Sequence, residues 1–309
     1  MSKPILVGYD PRRVDYAPVA FGAELARLTD APLLVASVER AGSDALSDHD
    51  LVADCSAALE QVEAELRASH VPVDCVKLQS TSAARALQEL AEQEGAALLV
   101  VGSARKSGVG RVLAGSTGMR LLHGAPCPVA VVPIDWQAER PPETIGAAYV
   151  DSEEGRQALH GAYALAGRLG ARLRVVTAVP HSERMHLEAD PPIAPVVDKR
   201  EVVDVEGEHR LEAEAHLKAQ VAALEGEVPV EAEALAGDPA DVLVDFSKGV
   251  DLLVVGARGY GPARAVLLGS VSRRVMAEAH APVIAVPRGM EAALEALTGT
   301  ARGEPAARR

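Results

Sequence analysis

Aromatic side chains make up only 3% of the 309 residues. The core must therefore be aliphatic, and the stacking platforms that hold single-stranded nucleic acid or cage quaternary amines have few residues to draw on. Cations are also in deficit: 31 Lys and Arg stand against 44 Asp and Glu, a net charge of -13. That balance disfavours nucleic acid as a partner, because phosphate affinity comes from neutralising cations. The three cysteines, Cys55, Cys75 and Cys127, are widely spaced, without the paired spacing of a zinc site or a disulfide framework, so a reducing compartment is expected. No apolar run approaches the roughly 20 residues that span a bilayer. Met1-Ser2-Lys3 leads almost directly into Ile5-Leu6-Val7 without a signal-peptide pattern, and a cytoplasmic protein with no membrane partner is expected.

What is present is a repeat. Leu98-Leu99-Val100-Val101-Gly102 recurs letter for letter as Leu252-Leu253-Val254-Val255-Gly256, an offset of 154, and Gly115-Ser116 recurs at the same offset as Gly269-Ser270. Upstream, Asp10 and Val38 pair with Asp151 and Val179 at an offset of 141. The offset reaches 157 at Val71-Pro72-Val73 against Val228-Pro229-Val230, so the second copy carries about 16 extra residues after Val179. Within each copy, short Val, Leu and Ile runs alternate with Ala-rich helical stretches. The first copy predicts strands at Ile5 to Tyr9, Leu33 to Val38, Val71 to Leu78, Ala97 to Gly102 and Val129 to Pro133. Helices are expected over Arg12 to Leu28, Leu51 to Ser69, Ala83 to Gln93 and Ser116 to His123. Strands that are apolar throughout, without alternation, belong to parallel sheets covered on both faces. The expected fold is α/β, two tandem doubly wound five-stranded parallel-sheet domains packed as a pseudo-dimer. The units are residues 1–134 and 144–288, joined by a linker at 135–143 where Trp136 and Pro141-Pro142 break the periodicity, and followed by a C-terminal tail at 289–309.

Open parallel sheets bind ligands beyond the strand carboxyl ends where strand order reverses. There the second copy places Gly256-Ala257-Arg258-Gly259-Tyr260-Gly261-Pro262, then Gly269-Ser270 opening a helix with Ser as its cap. Glycines admit an anion close to backbone N–H groups, and a helix N-terminus adds free donors and a favourable dipole. No acidic residue falls between Gly95 and Ile134 or between Leu252 and Ala277. These windows hold Arg105, Lys106, Arg111 and Arg120 in the first copy and Arg258, Arg264, Arg273 and Arg274 in the second. A polyanion suits such a field. Gly110 to Ser116 is not a P-loop, since Ser116 stands where that motif needs Lys. His181, Glu183, His186, Glu188 and Asp190 match no ligand spacing, so no metal site is expected. Glu183 to Glu233 carries 14 acids against five bases, read as a solvated helix face between Val197 and Leu224 or as a docking surface for a basic partner. The role of the insertion at 181–206 stays open.

The pattern Gly-x2-Gly-x9-Gly-Ser at Gly256, Gly259, Gly269 and Ser270 resembles the nucleotide-binding signature of the universal stress protein family. An Asp closing strand one and Pro128-Val129 and Pro282-Val283 opening strand five resemble it too, and the likeness covers Pro4 to Ile134 and Thr144 to Arg288. The resemblance implies the adenine-nucleotide alpha-hydrolase-like fold and an adenine nucleotide as ligand, ATP with Mg²⁺ as optional companion. Asp151 and Val179, with Asp10 and Val38 in the first copy, match the positions at the adenosine end; Gly256, Gly259, Gly269 and Ser270 match the phosphate end. In the first copy Gly102, Gly115 and Ser116 are in place, but Arg105 stands where the second glycine belongs. No catalytic residue is assigned. A non-enzymatic ATP-binding stress-response regulator with an unidentified protein partner and a homodimeric option leads. A slow ATPase or nucleotidyl- or phosphoryl-transferring enzyme, and a structural interaction module with vestigial sites, are the alternatives.

Overall fold

A computed structural model describes residues 3–13, 15–39, 48–103, 116–122, 124–134, 136–180, 199–257, 259–260, 265–266, 269–287, 294, 296 and 297, with backbone alone for 48–55, 116, 199–206, 259–260 and 265–266. Outside these lie Arg105, Lys106, Arg111 and Gly115 of the first loop, Arg258 and Arg264 of the second, and insertion residues 181–198, including His181, Glu183, His186, Glu188 and Asp190.

The first copy runs β1 (Ile5–Gly8), α1 (Ala17–Thr29), β2 (Leu33–Glu39), α2 (Asp48–Ala68), β3 (Val73–Gln79), α3 (Ala83–Gln93), β4 (Leu98–Gly102), α4 (Ser116–Leu121) and β5 (Val129–Val132). The second runs β6 (Thr144–Ala148), α5 (Glu153–Leu169), β7 (Arg172–Val179), α6 (Lys199–Ala222), β8 (Val230–Ala236), α7 (Pro239–Phe246), β9 (Leu252–Ala257), β10 (Gly259–Tyr260), β11 (Ala265–Val266), α8 (Ser270–Glu278) and β12 (Val283–Pro287). The predicted strands are all found, with ends shifted by one or two residues. Helix α1 differs more: it starts at Ala17, not Arg12. Pro18 has no N–H to donate and is tolerated only in a first turn, where it lies. The second copy has no such block. Ser152 caps α5 through the Gly155 N–H at 3.1 Å, Glu153 and Glu154 fill the first turn, and the helix gains the length α1 lacks.

Ten of the strands form one sheet in the order β3-β2-β1-β4-β5-β12-β9-β6-β7-β8, while β10 and β11 pair only with each other. Pairing is parallel within each half, and the halves meet at an antiparallel seam where Val131, Ala130 and Val129 face Val283, Ile284 and Ala285. Ala130 and Ile284 hold the same place in their copies and pair with each other, as in a twofold interface built within one chain. The core is divided by sheet face, not by copy. One layer packs β-strand residues against α1, α2, α5 and α6, with Phe21, Leu25, Leu66, Leu159, Leu165 and Leu217 buried. The other packs them against α3, α4, α7 and α8, with Leu87, Leu121, Leu243, Phe246 and Met276. Beyond Arg288, Leu294 and Leu297 are buried in the first layer, and Leu294 packs onto α5 at Gly161. Among the described residues no helix is long and apolar enough to cross a membrane.

Candidate functional site

Strand order reverses between β1 and β4 and again between β6 and β9, so each half presents a switch point at its strand carboxyl ends. In the first half this is a cleft of about 400 Å³, and Asp10, Val38 and Gly102 all line it. The Tyr9 N–H continues the ladder to the Ala36 carbonyl at 2.9 Å, which leaves Asp10 just past the pairing. Its carboxylate accepts from the Arg12 backbone N–H at 3.2 Å and Arg12 Nε at 2.9 Å, with Arg13 Nε at 3.5 Å. Both arginines line the cleft, as does Thr117 of α4, next to Ser116, whose side chain is outside the described residues. Ala36 and Val38 share one strand face, and Leu87 of α3 and Val101 of β4 complete an apolar wall.

The second half is best defined at its glycine segment. A Cβ placed on Gly256 would lie 2.7 Å from the Glu154 carbonyl oxygen, so only glycine lets the first turn of α5 sit against the end of β9. Gly259 opens β10, which pairs with β11 (Gly259 with Val266, Tyr260 with Ala265), so the loop begins as a small antiparallel hairpin. The sequence reading left this hairpin out, although Gly261-Pro262 carries a turn signal. The helix cap also differs from expectation. Gly269, not Ser270, is the N-cap of α8, at φ -60° and ψ 159°, and no side chain caps the helix. Ser270 is therefore the first helical residue, exposed, with the donors of the first turn turned to the loop. The Ser272 hydroxyl reaches the Gly256 carbonyl at 3.4 Å and ties the helix start to the strand end.

Asp151 and Val179 do not stand where the sequence offset put them. Ile5 pairs with Leu33 and Leu98, and Ile145 pairs with Leu173 and Leu252, so the strands of the two copies correspond at an offset of 140, not 141. The ladder ends agree: Tyr9 N–H to Ala36 is mirrored by Tyr149 N–H to Val176, and Ser80 N–H to Glu39 by Gly237 N–H to Val179. Val150, 58% exposed, thus stands in the place of Asp10, Ala178 in that of Val38, and Val179 in that of Glu39 on the opposite face. A slip of one residue reverses the face, and although Ile5, Tyr9 and Leu33 recur as Ile145, Tyr149 and Leu173 at an offset of 140, the paired Asp10 and Asp151 point to 141. Asp151 instead accepts from Arg156 Nη1 at 2.9 Å and lies 3.5 Å from both the Tyr149 hydroxyl and His216 Nε2 of α6. Tyr149 and His216 also meet, at 3.3 Å. Burial, with a smaller effect from the Asp151 carboxylate, pushes the Tyr149 phenol up.

The charge pattern changes in three dimensions as well. Asp15 is remote from the acid-free window in sequence, yet its Oδ2 lies 2.9 Å from where a Cβ on Gly102 would be. Arg274 is held by Asp238 at 3.2 Å, by Asp241, and by Glu278 at 3.4 Å, so it is committed to α7 and its own helix rather than to the loop. Arg273 remains exposed in the first turn of α8. Asp15, Tyr149 and His216 are the site-adjacent residues that sequence reasoning missed, since their positions depend on packing between elements. Among the described residues no group of three metal-ligating side chains occurs.

Two doubly wound halves sharing a sheet, each with a ligand-sized opening or a glycine-lined helix start at its switch point, define a class of tandem α/β proteins. The chain belongs to the universal stress protein family, which matches it over residues 1–133 and 142–287. A universal stress protein of Mycolicibacterium smegmatis is 30% identical over 308 residues, covering 91% of this chain and 96% of its own. One from Thermus aquaticus is 35% identical over 146 residues, 47% of this chain and 98% of its own, the size of a single copy. Among solved structures, a universal stress protein from Archaeoglobus fulgidus superposes with a TM-score of 0.66 at 17% identity, covering 94% of this chain and all of its own. A functionally unknown protein from Pseudomonas aeruginosa gives 0.65 at 18%, covering 96% and 97%. These two share the fold.

Proposed function

We propose that this chain is a non-catalytic cytoplasmic regulator that binds ATP, with residues 1–134 and 144–288 as its two units and nucleotide occupancy selecting a protein partner or a second copy of the chain. The start of α8 carries the reading. An uncapped helix N-terminus follows the glycine segment Gly256 to Gly269, no carboxylate interrupts the sequence from Leu252 to Ala277, and no described residue crowds Gly269. Backbone donors and the helix dipole there suit phosphate oxygens. Mg²⁺ would arrive on the phosphates, as it commonly does, and not in a protein cage. Turnover needs groups that hold the transition state better than the ground state. The backbone donors here hold both about equally, and Asp151, the candidate general base, is engaged by Arg156 and His216.

Calorimetric titration of the full chain with ATP tests this. A Cβ on Gly269 would meet no described residue within 4 Å and its φ of -60° suits any residue. Gly269→Val should therefore fold normally while its side chain fills the phosphate space and removes most of the affinity. Gly256→Ala is the contrasting control: its methyl meets a backbone carbonyl, so it should cost about 1–3 kcal/mol of stability. Affinity should also weaken as salt rises, because the contact is ionic on a molecule of net charge -13. Hydrolysis should stay below about 1 per second. Wild-type affinity in a folded Gly269→Val chain would sink the site, and faster turnover the non-catalytic reading.

A further inference from the structure

We propose that the linker between the halves helps form a separate binding site, which takes a small organic cation: an ammonium group on a short apolar body. The inference is independent of the nucleotide reading.

The site is a cavity of about 190 Å³ where the two halves and the linker meet. Val250-Asp251 and His280-Ala281 line it just ahead of β9 and β12, so in the second half it lies at the amino ends of the strands, away from the switch point. Its volume equals about six waters at ~30 Å³ each, too little for a nucleotide, since pockets for larger ligands run to roughly 300–1,000 Å³. The linker is pinned on both sides of the cavity. Trp136 packs edge-on against Phe21 at 5.3 Å between ring centres. Beyond it, the Asp251 carboxylate accepts from the Glu143 and Thr144 backbone N–H groups, each at 2.9 Å, and from Arg140 Nη2 at 3.0 Å.

The lining selects the ligand class. Phe21 and Leu25 of α1, with Val250 and Ala281, are buried and apolar, and the single tryptophan of the chain lines the cavity beside them. The charges around this lining do not cancel. Arg140 is taken up by Asp251 at 3.0 Å and Glu143 at 3.2 Å, and Glu24 by Arg27 at 2.7 Å. Glu139 is exposed in the linker, and among the described residues its carboxylate has no hydrogen bond or ion pair. An ammonium group gains from both features: its N–H groups donate to that carboxylate, and an indole attracts a cation more strongly than other rings do. The apolar residues cover its carbon chain. A bare metal ion would gain nothing from those walls, and an anion would meet Glu139 and Asp251.

The test titrates the full chain with phenethylammonium, its neutral counterpart phenethyl alcohol and the anion hydrocinnamate, following heat and Trp136 emission together, with melting temperatures as the folding control. Trp136 is the single tryptophan, so a change in emission places the ligand at this cavity. Phenethylammonium should saturate at about millimolar affinity or tighter, within reach of a ligand of its size. It should bind about fivefold more tightly than the alcohol, and hydrocinnamate should not bind. Glu139→Gln should weaken the ammonium about two- to fivefold, the range of an ion pair near the surface, and leave the alcohol unchanged. Trp136→Leu, read by heat alone, should weaken the ammonium about fivefold or more. Absence of saturation, equal affinity for the alcohol, heat without a change in emission, or unchanged affinity in either folded variant would each overturn the proposal.

Discussion

Cys127 shows how one side chain ties the core to pH. It is 1% exposed in the layer beneath α3 and α4, behaving as a small hydrophobe, and burial pushes its thiol up to about 12 from an ordinary value of 9.0. Cys75, half-buried on β3, is pushed up to about 11, again mainly by burial. The sign of the consequence follows from proton counting. Below pH 9 both states hold the proton and these thiols add no pH dependence. Above it, the unfolded chain releases protons that the folded chain retains, so stability falls as pH rises from about 9 toward 12. Cys127→Ala should cost about 1 kcal/mol at pH 7 through lost packing, yet show a shallower decline than wild type across the alkaline range. Urea midpoints measured at pH 7, 9 and 10.5 decide it; parallel declines would mean that Cys127 ionises in the folded state as readily as in the unfolded one.

At the scale of the element, the start of α5 governs more than its own helix. Ser152 caps it, and the turn so gained carries the Glu154 carbonyl to Gly256, where α1 instead begins at Ala17 behind Pro18. Ser152→Ala should lower stability by about 1 kcal/mol, with Ser152→Asp restoring most of it, as read from equilibrium unfolding. If neither substitution moves the midpoint, the cap contributes nothing. The comparison of α5 with α1 also shows where a sequence can be read. Strand positions were legible because buried parallel strands are apolar throughout; their register was legible too, since Ile5, Tyr9, Leu33 and Val35 recur as Ile145, Tyr149, Leu173 and Val175 at an offset of 140, but the matching Asp10 and Asp151 drew the alignment to 141. The helix start at Ala17 was recoverable from Pro18 alone. The glycines and the Ser270 helix were legible because backbone approach leaves a direct mark on composition. Contacts between elements, such as Asp151 with His216 or Asp15 with Gly102, left none.

The molecule as a whole is one sheet whose apolar layers cross the seam between copies. The first layer runs from Ile5 to Leu297 and the second from Leu6 to Ala285, each drawing residues from both halves, and at the seam Ala130, Val131, Val283 and Ile284 are all buried. Separating the halves would expose that apolar strip and leave the β5 and β12 edges without hydrogen-bond partners, two costs that act together. The halves should therefore unfold as one unit despite their internal symmetry. The single tryptophan gives a local probe: Trp136 packs edge-on against Phe21 of α1 at 5.3 Å between ring centres, so its fluorescence reports on the first half and the linker. Far-ultraviolet circular dichroism reports on every helix. The two urea transitions should coincide, the criterion for a two-state process. Ligand sharpens the test, because a ligand that binds only the folded state stabilises by about 2.7 kcal/mol at a hundredfold excess over Kd. If tripolyphosphate at the start of α8 stabilises the whole sheet, it must shift the Trp136 transition in the other half by the same amount as the dichroism. A Trp136 transition that stays put while the dichroism moves would mean that the seam transmits no stability between the copies.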